Sequence, residues 1–184
     1  MRASKQFGAW LAAVPLTLSL IVGAASAAAQ QTTERVDAKR DWSVFTASEG
    51  EKVCWIVTQP TTSVAKRGGK QVKVRRGPIY LMVAVRPAKG AKNEVSMVSG
   101  YPFAKGSSVS AKIGSNGFEM FTEGEGAWLA SAEDDDRMVT AMKRGATAVL
   151  TGESERGTTT IDTFSLLGFT AALESARSLC PMSG

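Results

Sequence analysis

The sequence predicts an all-β protein, an antiparallel sandwich or barrel with two short helices, and three observations carry that prediction. From Trp42 onward the chain falls into short apolar-rich runs separated by Gly, Pro and Asn, the rhythm of strands joined by tight turns. Two segments break that rhythm with apolar residues at helical spacing. The composition, 184 residues with 43% hydrophobic and 21% charged side chains, suits one globular domain.

Residues 1–27 read as a leader. Arg2 and Lys5 precede a largely apolar run over 9–25, which ends in the small-x-small candidates Ala25-Ser26-Ala27 and Ala27-Ala28-Ala29, the layout of a cleaved secretory signal peptide. A retained membrane anchor is the weaker alternative, because the apolar stretch is short, contains Pro15 and dissolves into the Ala/Ser-rich site. No cysteine lies at the cleavage site for lipoprotein attachment. Residues 28–40 are small and polar, a flexible lead-in; residues 41–180 form the domain and 181–184 a tail.

The first strand is read over 42–46 and the second over 53–59. In the second, Val53, Trp55 and Val57 share one face and Cys54 and Ile56 the other; a run apolar on both faces suits an interior strand. The run 79–86, β-branched and aromatic, is stopped by Pro87. Strands follow over 94–99, 107–113, 118–122, 127–130, 146–152 and 158–164, with turn chemistry such as Gly114-Ser115-Asn116-Gly117 between them. Ser131 with Asp134 three residues on forms a capping box, acidic residues fill the first turn, and Lys143, Arg144 and Gly145 close a helix over about 132–144. A second helix is read over about 168–179, where Phe169, Ala172, Leu173 and Ala176 share one face. Trp42, Trp55 and Trp128 read as core aromatics rather than a ligand groove.

Charge is unevenly spread. The formal +5 falls to +3 once Arg2 and Lys5 leave with the leader. Between Glu51 and Glu94 no acidic residue occurs, while Lys52, Lys66, Arg67, Lys70, Lys73, Arg75, Arg76, Arg86, Lys89 and Lys92 do. Six of these, Lys66, Arg67, Lys70, Lys73, Arg75 and Arg76, crowd one segment that reads as a long exposed loop or hairpin. It is the candidate anion-binding site, for phosphate, lipopolysaccharide, anionic phospholipid or acidic glycan, through attraction that salt weakens; the competing reading is a solvated hairpin with no ligand. Nucleic acid fits poorly, since no aromatics interleave the cations.

With no histidine, the chain lacks the usual base near neutral pH, the Ser/His and Cys/His pairs and the commonest metal ligand. Asp134, Asp135 and Asp136 lack calcium-loop spacing and suit a helix N-terminus. Glu123 and Glu125 are the one carboxylate pair to weigh for a hydrolase, against ordinary hairpin chemistry. No phosphate-binding glycine loop, Ser-x-x-Lys or Gly-x-Ser-x-Gly occurs. The expectation is a protein that is not an enzyme and has no cofactor or metal. Cys54 and Cys180 are the only cysteines; an even count in an exported chain favours a disulfide over two free thiols. Closing residues 54–180 would contribute roughly 5 kcal/mol by loop entropy.

Three phrases together resemble a known family. They are Asn93-Glu94-Val95-Ser96-Met97-Val98-Ser99-Gly100-Tyr101-Pro102-Phe103, then Phe121-Thr122-Glu123-Gly124-Glu125-Gly126-Ala127-Trp128, then the run from Gly152 to Leu173, whose ending Ser165-Leu166-Leu167-Gly168-Phe169-Thr170-Ala171-Ala172-Leu173 is the most specific part. They resemble the invasion-associated locus B family of alphaproteobacteria, over about 41–180. The resemblance implies a small immunoglobulin-like β-sandwich, exported to the periplasm, secreted or associated with the outer membrane, with no catalytic residues to carry over. Invasion itself does not carry over, because the family is also widespread in free-living bacteria. The combined expectation is a non-enzymatic envelope protein that binds anionic envelope or host-surface components. The rivals are a module that pairs with another protein through a sandwich edge, and a carboxylate hydrolase.

Overall fold

The structure, a computed structural model, describes residues 33–47 and 50–182. The expected leader over 1–27 lies outside them. Among the described residues no helix is long and apolar enough to cross a membrane.

The chain is an antiparallel β-fold with two helices. In order it forms β1 (Thr33–Lys39), β2 (Trp42–Ala47), β3 (Val53–Thr58), β4 (Thr62–Arg67), β5 (Lys70–Gln71), β6 (Tyr80–Arg86), β7 (Ala91–Val98), β8 (Ser108–Ile113), β9 (Asn116–Glu123) and β10 (Gly126–Trp128), then α1 (Ala132–Arg144), β11 (Thr147–Glu153), β12 (Thr159–Ser165) and α2 (Phe169–Leu179). All nine expected strands and both helices are present. Three strands were not foreseen. Residues 33–39, expected within the flexible lead-in, run instead as β1 along β2 with a bulge between Arg35 and Asp37, and β4 and β5 form a hairpin.

Every paired neighbour is antiparallel, in the order β1-β2-β3-β6-β7-β10-β9-β8-β11-β12-β4-β5. Strands β3 and β4 follow each other across Gln59-Pro60-Thr61, yet they stand near opposite ends of this ladder. The sheet therefore curls until the chain itself joins its two sides. At the seam Thr61 donates from its backbone N–H and its hydroxyl to the Thr163 carbonyl, at 2.7 and 3.0 Å. The sandwich is thus one continuous sheet folded over one core.

Alternation decides which residues fill that core. From one side come Val44, Cys54, Ile56, Leu81, Val83, Val95 and Met97, and from the other Val109, Ala111, Ile113, Leu150 and Phe164, all buried. Trp42 is fully buried, donates its indole N–H to the Ser165 carbonyl at 3.1 Å, and meets Phe169 edge to face. The other two tryptophans depart from the core expectation: Trp55 stacks on Phe45 and Trp128 leans on Phe121 on the outer face, each half-buried.

Helix α1 starts where expected, with the Ser131 hydroxyl oxygen accepting from the Asp134 N–H at 3.1 Å. Its buried face, Met138, Val139, Ala141 and Met142, caps the core beside β7. Helix α2 lies across β1, β2 and β3, burying Phe169, Ala172, Leu173 and Ala176. Just past its end Cys180 is bonded to Cys54 of β3, with Cα atoms 5.9 Å apart.

Candidate functional site

The basic run begins on β4 and turns through Gly68 and Gly69, both at positive φ, the backbone that a tight two-residue hairpin demands. Lys66 then pairs with Gln71 and Arg67 with Lys70. After the Val72 N–H bonds the Ala65 carbonyl at 2.9 Å, the chain runs without turn or bend to Gly77, whose N–H meets the Gly100 carbonyl at 2.8 Å. That crossing needs glycine on the far side. Gly100 sits at φ +71, and a Cβ there would collide with the Gly77 carbonyl.

Between this strut, residues 100–102 and the turn 154–158 lies a cleft of about 570 Å³. Its cations are Arg67, Lys73, Arg75, Arg76 and Arg156, its carboxylates Glu125 and Glu155, and its uncharged lining includes Val74, Tyr101 and Pro102. The candidate cations therefore divide. Arg67, Lys73, Arg75 and Arg76 line the cleft, whereas Lys66 and Lys70 stand exposed on the hairpin beside it.

Arg76 is the correction within this set: it is a structural residue and not a free cation. Its guanidinium forms a two-pronged ion pair with Asp162, both contacts at 2.7 Å, with 8% and 0% of the two side chains exposed. It also donates twice to the Ser99 carbonyl and lies over the Tyr101 ring at 4.9 Å. Asp162 accepts a further bond from the Ser63 hydroxyl at 2.6 Å. A buried carboxylate demands such compensation, because desolvation costs several kcal/mol per ion. Tyr101 shares a hydrogen bond with the Thr160 hydroxyl at 2.6 Å, and burial pushes its own hydroxyl above the ordinary value, keeping it protonated. Arg67 is partly committed too, donating from two nitrogens to the buried Thr158 hydroxyl. None of Lys66, Arg67, Lys70, Lys73, Arg75 and Arg156 has a salt-bridge partner among the described residues.

Sequence reasoning missed Arg156 and the Arg76–Asp162 pair. A signal for the pair existed: in β12 the inward positions are Thr160, Asp162 and Phe164, and an aspartate on the core face requires a cation. Of the carboxylates weighed for hydrolysis, Glu125 stands exposed in the turn after β9 and lines the cleft, while Glu123 is exposed on β9 outside that lining.

The acidic run on α1 ties elements together. Asp134 receives bonds from Ser131 and Arg137, and Asp135 accepts from the Val95 N–H at 2.9 Å. Burial pushes the Asp135 carboxyl up to about 6, against the pull of that bond and with the repulsion of Glu94, Asp136 and Asp134. Burial also pushes Asp136 up, but bonds from Lys92 and Asn93 outweigh it and hold the carboxyl below its usual range. Among the described residues no group of three or more Cys, Asp or Glu side chains is placed to hold a metal ion.

Fold and site together define a class of small antiparallel β-domain, closed by one disulfide and carrying at a sheet edge a cleft lined by five cations and two carboxylates. Residues 42–177 match the family model of the Invasion associated locus B (IalB) protein, and the chain belongs to that family. Its backbone is similar to the crystal structure of invasion associated protein b from Bartonella henselae, at a TM-score of 0.54 and 17% sequence identity, over 78% of this chain and 96% of that one. At that identity the likeness concerns the fold. No protein of curated function matches the sequence.

Proposed function

We propose that this protein is an exported, non-enzymatic envelope protein that binds anionic groups of envelope or host-surface components in the cleft behind the β4–β5 hairpin. One observation carries the reading: Arg67, Lys73, Arg75 and Arg156 surround a single cleft without acidic partners in ion-pair contact. Cations held close together around one cleft raise the local concentration of anions, and salt screens that attraction over about 8–10 Å. Export is supported by the leader pattern over 1–27 and by the disulfide, which needs an oxidising compartment. The absence of histidine and the exposure of Glu123 and Glu125 favour binding over hydrolysis.

The test changes Lys66, Arg67, Lys70, Lys73 and Arg75 to Gln and leaves Arg76 in place. Retention on lipopolysaccharide or anionic liposomes at low salt should be strong for the native protein, fall as salt rises, and drop about tenfold or more in the variant, since several exposed charges each contribute up to about 1 kcal/mol. Unchanged retention of the variant at low salt would sink the proposal.

A further inference from the structure

We infer that residues 70–76 are a docking edge that takes up an extended, acidic polypeptide segment as an added β-strand. The inference rests on the anion-binding reading above and names the polymer that carries the anions.

Strand β5 is the last strand of the sheet, paired on one side with β4 and on the other with nothing among the described residues. Beyond it, residues 73–76 make no backbone–backbone hydrogen bond among the described residues, although the run is pinned at Val72 and Gly77. Amide groups alternate sides along an extended chain. With the Val72 N–H turned toward Ala65 of β4, those of Lys73 and Arg75 turn away from β4, toward the side on which Gly77 meets Gly100. The cleft lies on that side, lined by Gly100, Tyr101 and Pro102. A row of free donors and acceptors held straight at a sheet edge is a template for one more strand. The Arg76–Asp162 pair and the Gly77–Gly100 contact fix the template in advance, so a ligand would not have to order it.

The charges select the occupant. Lys70, Lys73 and Arg75 make a second copy of this edge a poor partner, because like charges would face each other across the new ladder. An acidic strand is attracted by the same side chains. The cleft also holds Glu125 and Glu155, so the ligand that fits the whole of it carries acidic groups alternating with uncharged ones. A peptide strand meets that requirement, since its side chains alternate: acidic residues can pair with the cations of the cleft while uncharged ones lie by its carboxylates.

The decisive experiment uses the mature, oxidised protein and three probes: a peptide of alternating Glu and Thr, the same peptide N-methylated on every second backbone nitrogen in either of the two phases, and phosphatidylglycerol vesicles. The plain peptide should bind in a salt-sensitive way, and methylation in at least one phase should weaken it about tenfold or more by removing ladder hydrogen bonds while keeping every charge. Equal binding of the plain peptide and both methylated forms would overturn strand addition and leave the anion-binding reading standing. Binding of the vesicles with no binding of the plain peptide would overturn the choice of a polypeptide. Failure of every probe at low salt would overturn the anion-binding reading itself.

Discussion

Two segments are fastened onto the same sheet by opposite means. Helix α2 is held by its apolar face and by the Cys54–Cys180 bond, so that face is used up inside. The strut after β5 is held by two backbone hydrogen bonds and one buried ion pair, which leave its edge and its cations facing out. Distributed apolar packing produces a part that can only support. A few strong, localised bonds produce a part that is rigid and still available.

That contrast can be broken at either anchorage. Replacing Cys54 and Cys180 together by Ser should have the largest effect, a loss of about 5 kcal/mol at the upper end of what a native disulfide supplies, read as a lower urea midpoint. Comparable midpoints for variant and native protein would mean that packing alone holds the helix. Arg76→Gln should come next, with about 3 kcal/mol or more lost because Asp162 is left buried and unpaired. Its distinguishing readout is a double variant: adding Asp162→Asn should restore a large part of that loss by removing the unpaired buried charge, and a double variant no more stable than Arg76→Gln alone would contradict the assignment.

The smallest effect sharpens the contrast by testing a carboxylate that has no cation. Asp135 titrates near 6 in the folded protein and close to 3.8 when unfolded, so the folded state holds the proton more tightly. The contribution of this group is therefore greatest below about pH 4 and declines as pH rises through 6. Asp135→Asn keeps an acceptor for the Val95 N–H and removes the charge. It should gain about 1 kcal/mol over the native protein at pH 7, after allowance for solvent screening, and little at pH 4. Thermal unfolding at the two pH values checks this, and an equal effect at both would refute it.

What could be read in the sequence follows where burial imposed a pattern. The nine strands that carry core residues were legible because water-excluded positions recur at every second residue, as in β3 and β8. Strand β1 was not, because its seven residues are mostly exposed and its alternation encodes no face; backbone pairing with β2 holds it, and Ser175 of α2 bonds its Asp37 at 2.9 Å. Strand β4 buries only Ala65, too little to register as a period. Trp55 was placed on the correct face, but which face meets the core depends on where the sheet curls. The basic cluster was legible as charge and illegible as geometry. Nothing in the order Lys73-Val74-Arg75-Arg76 tells which arginine turns inward, because Asp162 lies far along the chain.

The seam between β3 and β4 has a consequence for the order of assembly. Thr61 waits for Thr163, 102 residues later, so β4 and the strut beyond it are synthesised early and docked late, after β12 exists to receive them. Until then this segment is an unpaired ribbon at risk of pairing with its own copies, the hazard of slow non-local sheets. Six like charges in eleven residues keep those copies apart, so the feature proposed to recruit a partner in the finished protein also guards the unfinished one.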